Sequence, residues 1–311
     1  VLVLDVDNSF PPSLSGFTMK HIALLCCGIG LALFFNSCSN HPDMADFQTL
    51  KAEMYIRSGE LDNAQKALHE ALMENPSHLE AHVLQSKLYL LDNKQDKAIE
   101  QLEKAKTIDE KNLDVLYSLG FVLTRKGEYE KAIEAYQKAI EIKPDSALGF
   151  NNIAVTYHSK KEFSKSIEQL KKALTLQPDF VEAHFNMGNS YAMLNKLDDA
   201  IKSYNRAIEL NPKYTEAYVE LSAVYNKLGN PAEAGNNVGL YYFWRNEFTQ
   251  AVKAFSDVIK AKPDHAIAHN NLAVSYDKIG NQELSLEHLK KSASLGYSPA
   301  IEICKKNNII F

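Results

Sequence analysis

The sequence predicts an all-α fold, a solenoid of antiparallel helix pairs stacked in series, and three observations predict it. Proline recurs in one context (NPSH, KPDS, QPDF, NPKY, KPDH) at Pro76, Pro144, Pro178, Pro212 and Pro263. The separations of 68, 34, 34 and 51 are two, one, one and one and a half steps of 34. Two further series keep the same step: Tyr55, Tyr89, Leu123, Tyr157, Tyr191, Tyr225, Tyr242 and Tyr276, and Ala64, Ala98, Ala132, Ser166, Ala200, Ala234, Ala251 and Ser285. Each breaks once, by a step of 17, in the same place. A fixed internal period of this length is the signature of a repeat architecture.

Each unit reads as two helices. In residues 147–180, Phe150, Ile153, Ala154 and Tyr157 recur at helical spacing, and Phe163, Ile167, Leu170, Ala173 and Leu174 do so again. Between the helices stands Gly59, Asn93, Gly127, Asn195, Gly229, Asn246 or Gly280, residue types that take positive φ cheaply where the chain reverses. Lys161 occupies that position once, which predicts a strained or altered turn. Proline stops the second helix; Glu110 replaces it once, and that helix end is expected to fray more readily. The organisation is therefore five full units over 45–214, a half unit over 215–231, two units over 232–299 and a cap over 300–311. Helix Pro299 to Lys306 is expected to cap the stack with Ile301, Ile303 and Phe311, burying the thiol of Cys304.

Composition agrees with a globular helical chain. Of 311 residues, 45% are hydrophobic and 23% charged, and 13 glycines and 10 prolines are too few for a turn-rich β protein of this length. A formal net charge of -5 provides no basic footprint for nucleic acid. The four cysteines, Cys26, Cys27, Cys38 and Cys304, have neither metal-ligand nor redox spacing.

Residues 1–44 read as an address rather than as fold. Met19, followed by Lys20, His21 and the apolar run Ile22 to Phe35, has the layout of a secretory signal over 19–37, with 1–18 as an upstream extension. The run is shorter than the ~20 residues that span a bilayer. Phe34-Phe35-Asn36-Ser37-Cys38-Ser39 resembles the cleavage box of bacterial lipoproteins, which implies acylation of Cys38, a tether over 38–44 and an outer-membrane location in the cell envelope. If 19–37 is not a signal, the chain is cytosolic.

The repeat itself resembles the tetratricopeptide repeat family. Leu116, Leu119, Gly120, Ala132, Tyr136, Ala139 and Pro144 fit the family pattern, as do Met187, Gly188, Tyr191, Ala200, Tyr204, Ala207 and Pro212. The resemblance implies a tetratricopeptide superhelix, an α-α solenoid whose first helices line a concave groove that binds peptide segments or partner proteins. Within that groove it points to Asn152, Asn186, Asn237 and Asn271 at one first-helix position, with Asn189 beside them, whose amides suit a peptide backbone.

At the half unit one helix, about Pro231 to Arg245, serves both roles, and Tyr241, Tyr242, Phe243 and Trp244 fall in it. Four consecutive aromatics cannot all face inward on a helix. Tyr241 and Trp244 therefore either cover the irregular junction or form a partner-binding hot spot. His78 and His82, and His265 and His269, are i,i+4 pairs without the glutamate of a zinc-binding helix, and His82, His184 and His269 share one repeat position, which marks them as packing residues. No nucleophile elbow and no phosphate-cradling glycine loop is found. The expected function is a non-catalytic, lipid-anchored scaffold that binds other proteins, without metal, cofactor, nucleic acid or small-molecule substrate; a cytosolic co-chaperone is the alternative.

Overall fold

A computed structural model describes residues 44–311, so the expectations on the leader, on Cys38 and on the tether fall on or reach into residues outside the described ones. Among the described residues there are sixteen helices and no strand. In order they are α1 (Met44–Ser58), α2 (Leu61–Glu74), α3 (Leu79–Leu91), α4 (Gln95–Ile108), α5 (Leu113–Lys126), α6 (Tyr129–Ile142), α7 (Ala147–Ser159) and α8 (Phe163–Leu176). They continue as α9 (Val181–Met193), α10 (Leu197–Leu210), α11 (Thr215–Lys227), α12 (Pro231–Trp244), α13 (Phe248–Ala261), α14 (Ala266–Lys278), α15 (Gln282–Ser294) and α16 (Ser298–Lys306). None of these helices is long and apolar enough to cross a membrane. The chain forms two compact units that meet in sequence at Lys160 and Lys161.

In the first unit α1 packs on α2, α3 on α4 and α5 on α6. The second helix of each pair is amphipathic: in α6 the residues Ala132, Ala135, Tyr136 and Ala139 are buried at i, i+3, i+4 and i+7. The opposite side is solvated and carries i,i+4 pairs such as Glu134–Lys138 at 3.1 Å and Glu100–Lys104 at 2.7 Å, each contributing a few tenths of a kcal/mol. In some pairs the two helices close on a glycine. A Cβ added to Gly120 would lie 2.5 Å from the ring of Tyr136, and one added to Gly188 would lie 2.5 Å from the ring of Tyr204. Gly239 stands in the same relation to Phe255.

The turns within pairs share one geometry. Gly127, at φ +85°, ends α5, and the amides of Gly127 and Glu128 return to the carbonyls of Thr124 and Leu123 at 3.1 and 2.9 Å. Asn93, Asn195 and Asn246 take the same left-handed conformation at φ 55°, 58° and 63°. Lys161 does so as well, at φ 65°. The turn is therefore kept rather than altered, and the strain is carried by the lysine backbone. At Glu110 the turn closes without proline: Asn112 N donates to Asp109 O at 3.3 Å, and the Asn112 side chain caps α5 by accepting from Val115 N at 3.1 Å.

In the second unit α9 pairs with α10, α11 with α12, and α14 with α15, while α12 packs equally closely on α13. Helix α12 thus acts as second helix toward α11 and as first helix toward α13. Helix α16 covers α15 and buries Ala300 and Cys304 completely. Its cap is smaller than expected: Ile301 packs inward, but Ile303 on the helix and Phe311 in the tail beyond it remain exposed.

Two substitutions check this packing. Gly188→Ala should lower stability by about 1–3 kcal/mol in a urea melt, through overpacking against Tyr204. Lys161→Gly should raise it by about 1 kcal/mol, because it removes the cost of a non-glycine residue at positive φ; an unchanged melting temperature would contradict the assigned backbone conformation.

Candidate functional site

The five asparagines expected in the groove do not share one environment. Asn152, on α7, is half-buried and accepts from Asn151 Nδ2 at 3.4 Å. Asn186, on α9, is also half-buried. Asn271, on α14, is half-buried and donates through Nδ2 to Asn236 Oδ1 of α12 at 3.0 Å. The expectation of an open groove amide fails for the other two. Asn189 is buried, and its Oδ1 accepts from the buried hydroxyl of Tyr204 at 2.8 Å. Asn237 is buried because α12 is covered on two sides, and its Nδ2 donates to the Glu233 carbonyl one turn back at 2.8 Å. In Asn189 the amide thereby serves a buried hydroxyl.

What the first helices do leave open is apolar. Val219 on α11 is 46% exposed, and Ile267 and Val274 on α14 are 40% and 37% exposed. Beside them the buried Oδ1 of Asn270 has no hydrogen-bond partner.

Tyr241, Tyr242, Phe243 and Trp244 are all half-buried. Tyr242 and Phe243 pack against the core formed by Ala251, Phe255 and Leu272. Phe243 meets both Trp244 and Phe248 edge-on, with ring centroids 5.4 Å apart in each case. Tyr241 lies outermost, its ring 5.3 Å beneath the guanidinium of Arg245, which also pairs with Glu247 at 2.7 Å. The buried hydroxyl of Tyr218 donates to the carbonyl of Pro212 at 3.0 Å, and the indole of Trp244 approaches that same hydroxyl. Burial, opposed by this indole contact, pushes the Tyr218 phenol up to about 12. Trp244 is thereby tied into the α11–α12 junction.

The histidines are structural. His82, His184 and His269 each place Nε2 2.9, 2.9 and 3.0 Å from the carbonyl oxygen of the proline six residues earlier, the same carbonyl that Tyr218 serves at its own position. His78 and His265 accept through Nδ1 from Ala81 N and Ala268 N, both at 3.2 Å, and so cap α3 and α14. Among the described residues no group of three or more possible metal ligands comes together.

Models described as TPR repeat match residues 122–161 and 156–195, and models described as Tetratricopeptide repeat match 181–214, 203–235, 49–112 and 239–296. The chain belongs to the tetratricopeptide repeat family. No curated protein matches it. Among solved structures it is similar to PilW, described as a widely conserved type IV pilus biogenesis factor, at 17% identity and a TM-score of 0.57, covering 75% of this chain and 99% of that one. It is similar to Pseudomonas aeruginosa pilF at 16% identity and TM-score 0.52, covering 77% and 98%. A tetratricopeptide repeat protein from Parabacteroides merdae gives 17% and 0.52, covering 84% and 98%. At these identities the likeness shows the fold.

A tetratricopeptide scaffold of this kind binds other proteins. In this one, sequence reasoning missed Asn236, whose bond to Asn271 joins α12 to α14, because its neighbour Asn237 matches the family position and Asn236 does not. It also missed the contact of His269 with His288, since only one of the two rings lies at the shared repeat position. The junction role of Trp244 can be measured. A double-mutant cycle of Trp244→Phe and Tyr218→Phe should give a coupling of at least about 0.5 kcal/mol in chemical denaturation, the lower end for side chains in contact; additive effects would show that the indole contact is not formed.

Proposed function

We propose that this tetratricopeptide chain is a non-catalytic adaptor of the bacterial envelope, anchored by a lipid on Cys38, which gathers partner proteins along the outward face of its first helices. The observation that carries the binding half is the exposure of Val219, Ile267 and Val274 on first helices, next to the unpartnered oxygen of Asn270. On the second helices α6 and α13, Ala132, Tyr136 and Ala139, and Ala251, Phe255 and Val258, are spent on the core. Apolar side chains flanked by amides suit a segment that brings its own backbone hydrogen-bond groups and a few apolar anchors. The anchoring half rests on the resemblance of residues 34–39 to a lipoprotein box, and stable anchoring there takes more than one acyl chain.

The two halves separate experimentally. In cells, Cys38→Ala should abolish acyl labelling and move the chain out of the membrane fraction while crosslinked partners are still recovered. Ile267→Glu with Val274→Glu should reduce partner recovery about tenfold, a loss of about 1.4 kcal/mol, with the protein still in the membrane and its melting temperature unchanged. Unchanged fractionation of the first variant would reject the anchor, and undiminished crosslinking of the second would reject this face.

A further inference from the structure

Among the described residues the last helix pair holds two imidazoles in direct contact. His269 of α14 and His288 of α15 face each other through Nδ1 at 3.1 Å, with ring centroids 5.2 Å apart and 34° between planes. Tyr276 lies flat on His288 at 5.6 Å and 6°. The two histidines line an open cavity of about 580 Å³ together with Glu287, Lys290 and Lys291, and with Ile310 and Phe311 of the tail.

The proton positions in this contact follow from the neighbours. His269 Nε2 lies 3.0 Å from the Pro263 carbonyl oxygen, which only accepts, so Nε2 carries the proton and Nδ1 of the neutral ring is bare. His288 Nδ1–H therefore donates to it. His288 can take a further proton on Nε2 and keep donating. Once His269 is also protonated, two N–H groups on cationic rings point at each other and the contact is lost. A metal ion does not substitute for the shared proton: the rings meet nearly end to end, and a linear bridge would need ~4.2 Å between the nitrogens.

The fold contains its own control. His82 of α3 and Gln101 of α4 occupy the same two positions, also 19 residues apart, with Nδ1 and Oε1 at 2.8 Å and His82 Nε2 at 2.9 Å from the Pro76 carbonyl. A glutamine amide can turn to offer either N–H or oxygen, so it accommodates a neutral or a cationic His82. An imidazole partner cannot do so without changing its own protonation.

We propose that the His269–His288 contact is a proton-sensitive latch, which holds α15 and the α16 helix packed on it against α14 at neutral pH and releases them on acidification.

The surroundings favour the neutral pair. Burial holds the His288 imidazole below its usual range, the adjacent His269 adds to this, and Glu287 opposes both. Lys290 and Lys291, on the same helix, add positive charge at the cavity. On the elements packed around α14, Asp257 of α13 pairs with Lys260 at 3.0 Å and Glu233 of α12 lies 3.2 Å from His265. Glu302, Lys305 and Lys306 of α16 are exposed. With the folded pKa depressed, the unfolded or opened state binds the proton more tightly. For His288 the stabilisation is thus complete above the ordinary histidine range near ~6.5 and is lost as pH falls below it, by up to about tenfold per pH unit.

The test is amide hydrogen exchange of the full chain at about pH 7.5 and about pH 5.5, on either side of the ordinary histidine pKa and corrected for intrinsic exchange. Opening of α15 and α16 should rise up to about tenfold per pH unit while α3 and α4 stay level. His288→Gln, which copies the His82–Gln101 arrangement, should flatten the response. A wild type without a selective change in α15 and α16, or a His288→Gln variant that keeps the change, would overturn the proposal. Long-range nitrogen-15 NMR of the wild type provides a second reading: His269 as the Nε2–H tautomer at neutral pH is expected, and the Nδ1–H tautomer would overturn it.

Discussion

The fold depends on the close approach of two helices at a small residue, which at Gly120, Gly188 and Gly239 has no side chain at all. Where Gly120 faces Tyr136 and Gly188 faces Tyr204, the aromatic ring fills the space a Cβ would need. The ring is then buried against backbone rather than against another side chain, and its hydroxyl must find a partner inside. At Tyr204 that partner is Asn189. The contact therefore fixes more than the distance between helices. It also withdraws an asparagine from the surface that a reader of the repeat pattern would assign to ligand binding.

The same constraint accounts for the irregular helix. Because α12 packs closely against both α11 and α13, it needs small residues on two sides rather than one. Its sequence, PAEAGNNVGLYYFW, supplies them: Ala234 is buried in second-helix register, and Gly235 and Gly239 approach Val258 and Phe255. The polar residues between them are buried as a consequence. Asn237 turns back to its own helix and Asn236 reaches Asn271, so both amides are satisfied within the unit. The aromatic run at the C-terminal end of α12 then divides between the core beside Phe255 and the hydroxyl of Tyr218.

The histidines follow an analogous rule at the turns. At four of the turns before a first helix a proline carbonyl points inward, and the residue six positions on supplies the donor: His82, His184, Tyr218 and His269. This role explains why a titratable ring sits in the packing of several units. It leaves the second ring nitrogen to be matched by whatever the partner helix offers. Gln101 and His288 are two chemically different answers at the same position.

The sequence by itself determined the helical class, the period of 34, the single break of 17, the left-handed turn residues and the small positions of the helix pairs. Each of these is a local or periodic property: helical spacing, positive φ and close approach all act through residue type at a fixed register. Lys161 shows the strength of that register, since the turn imposes its conformation on a residue poorly suited to it. Only the tertiary structure decided which polar side chains remain available. Asn152 and Asn237 share one repeat position in the sequence, yet one is half-buried and the other is buried and bonded back to its own helix. The pairing of His269 with His288 likewise depends on which residue the partner helix places opposite. The fate of a polar side chain is set by the nearest buried donor or acceptor left unsatisfied, and that neighbour is known only once the helices have packed.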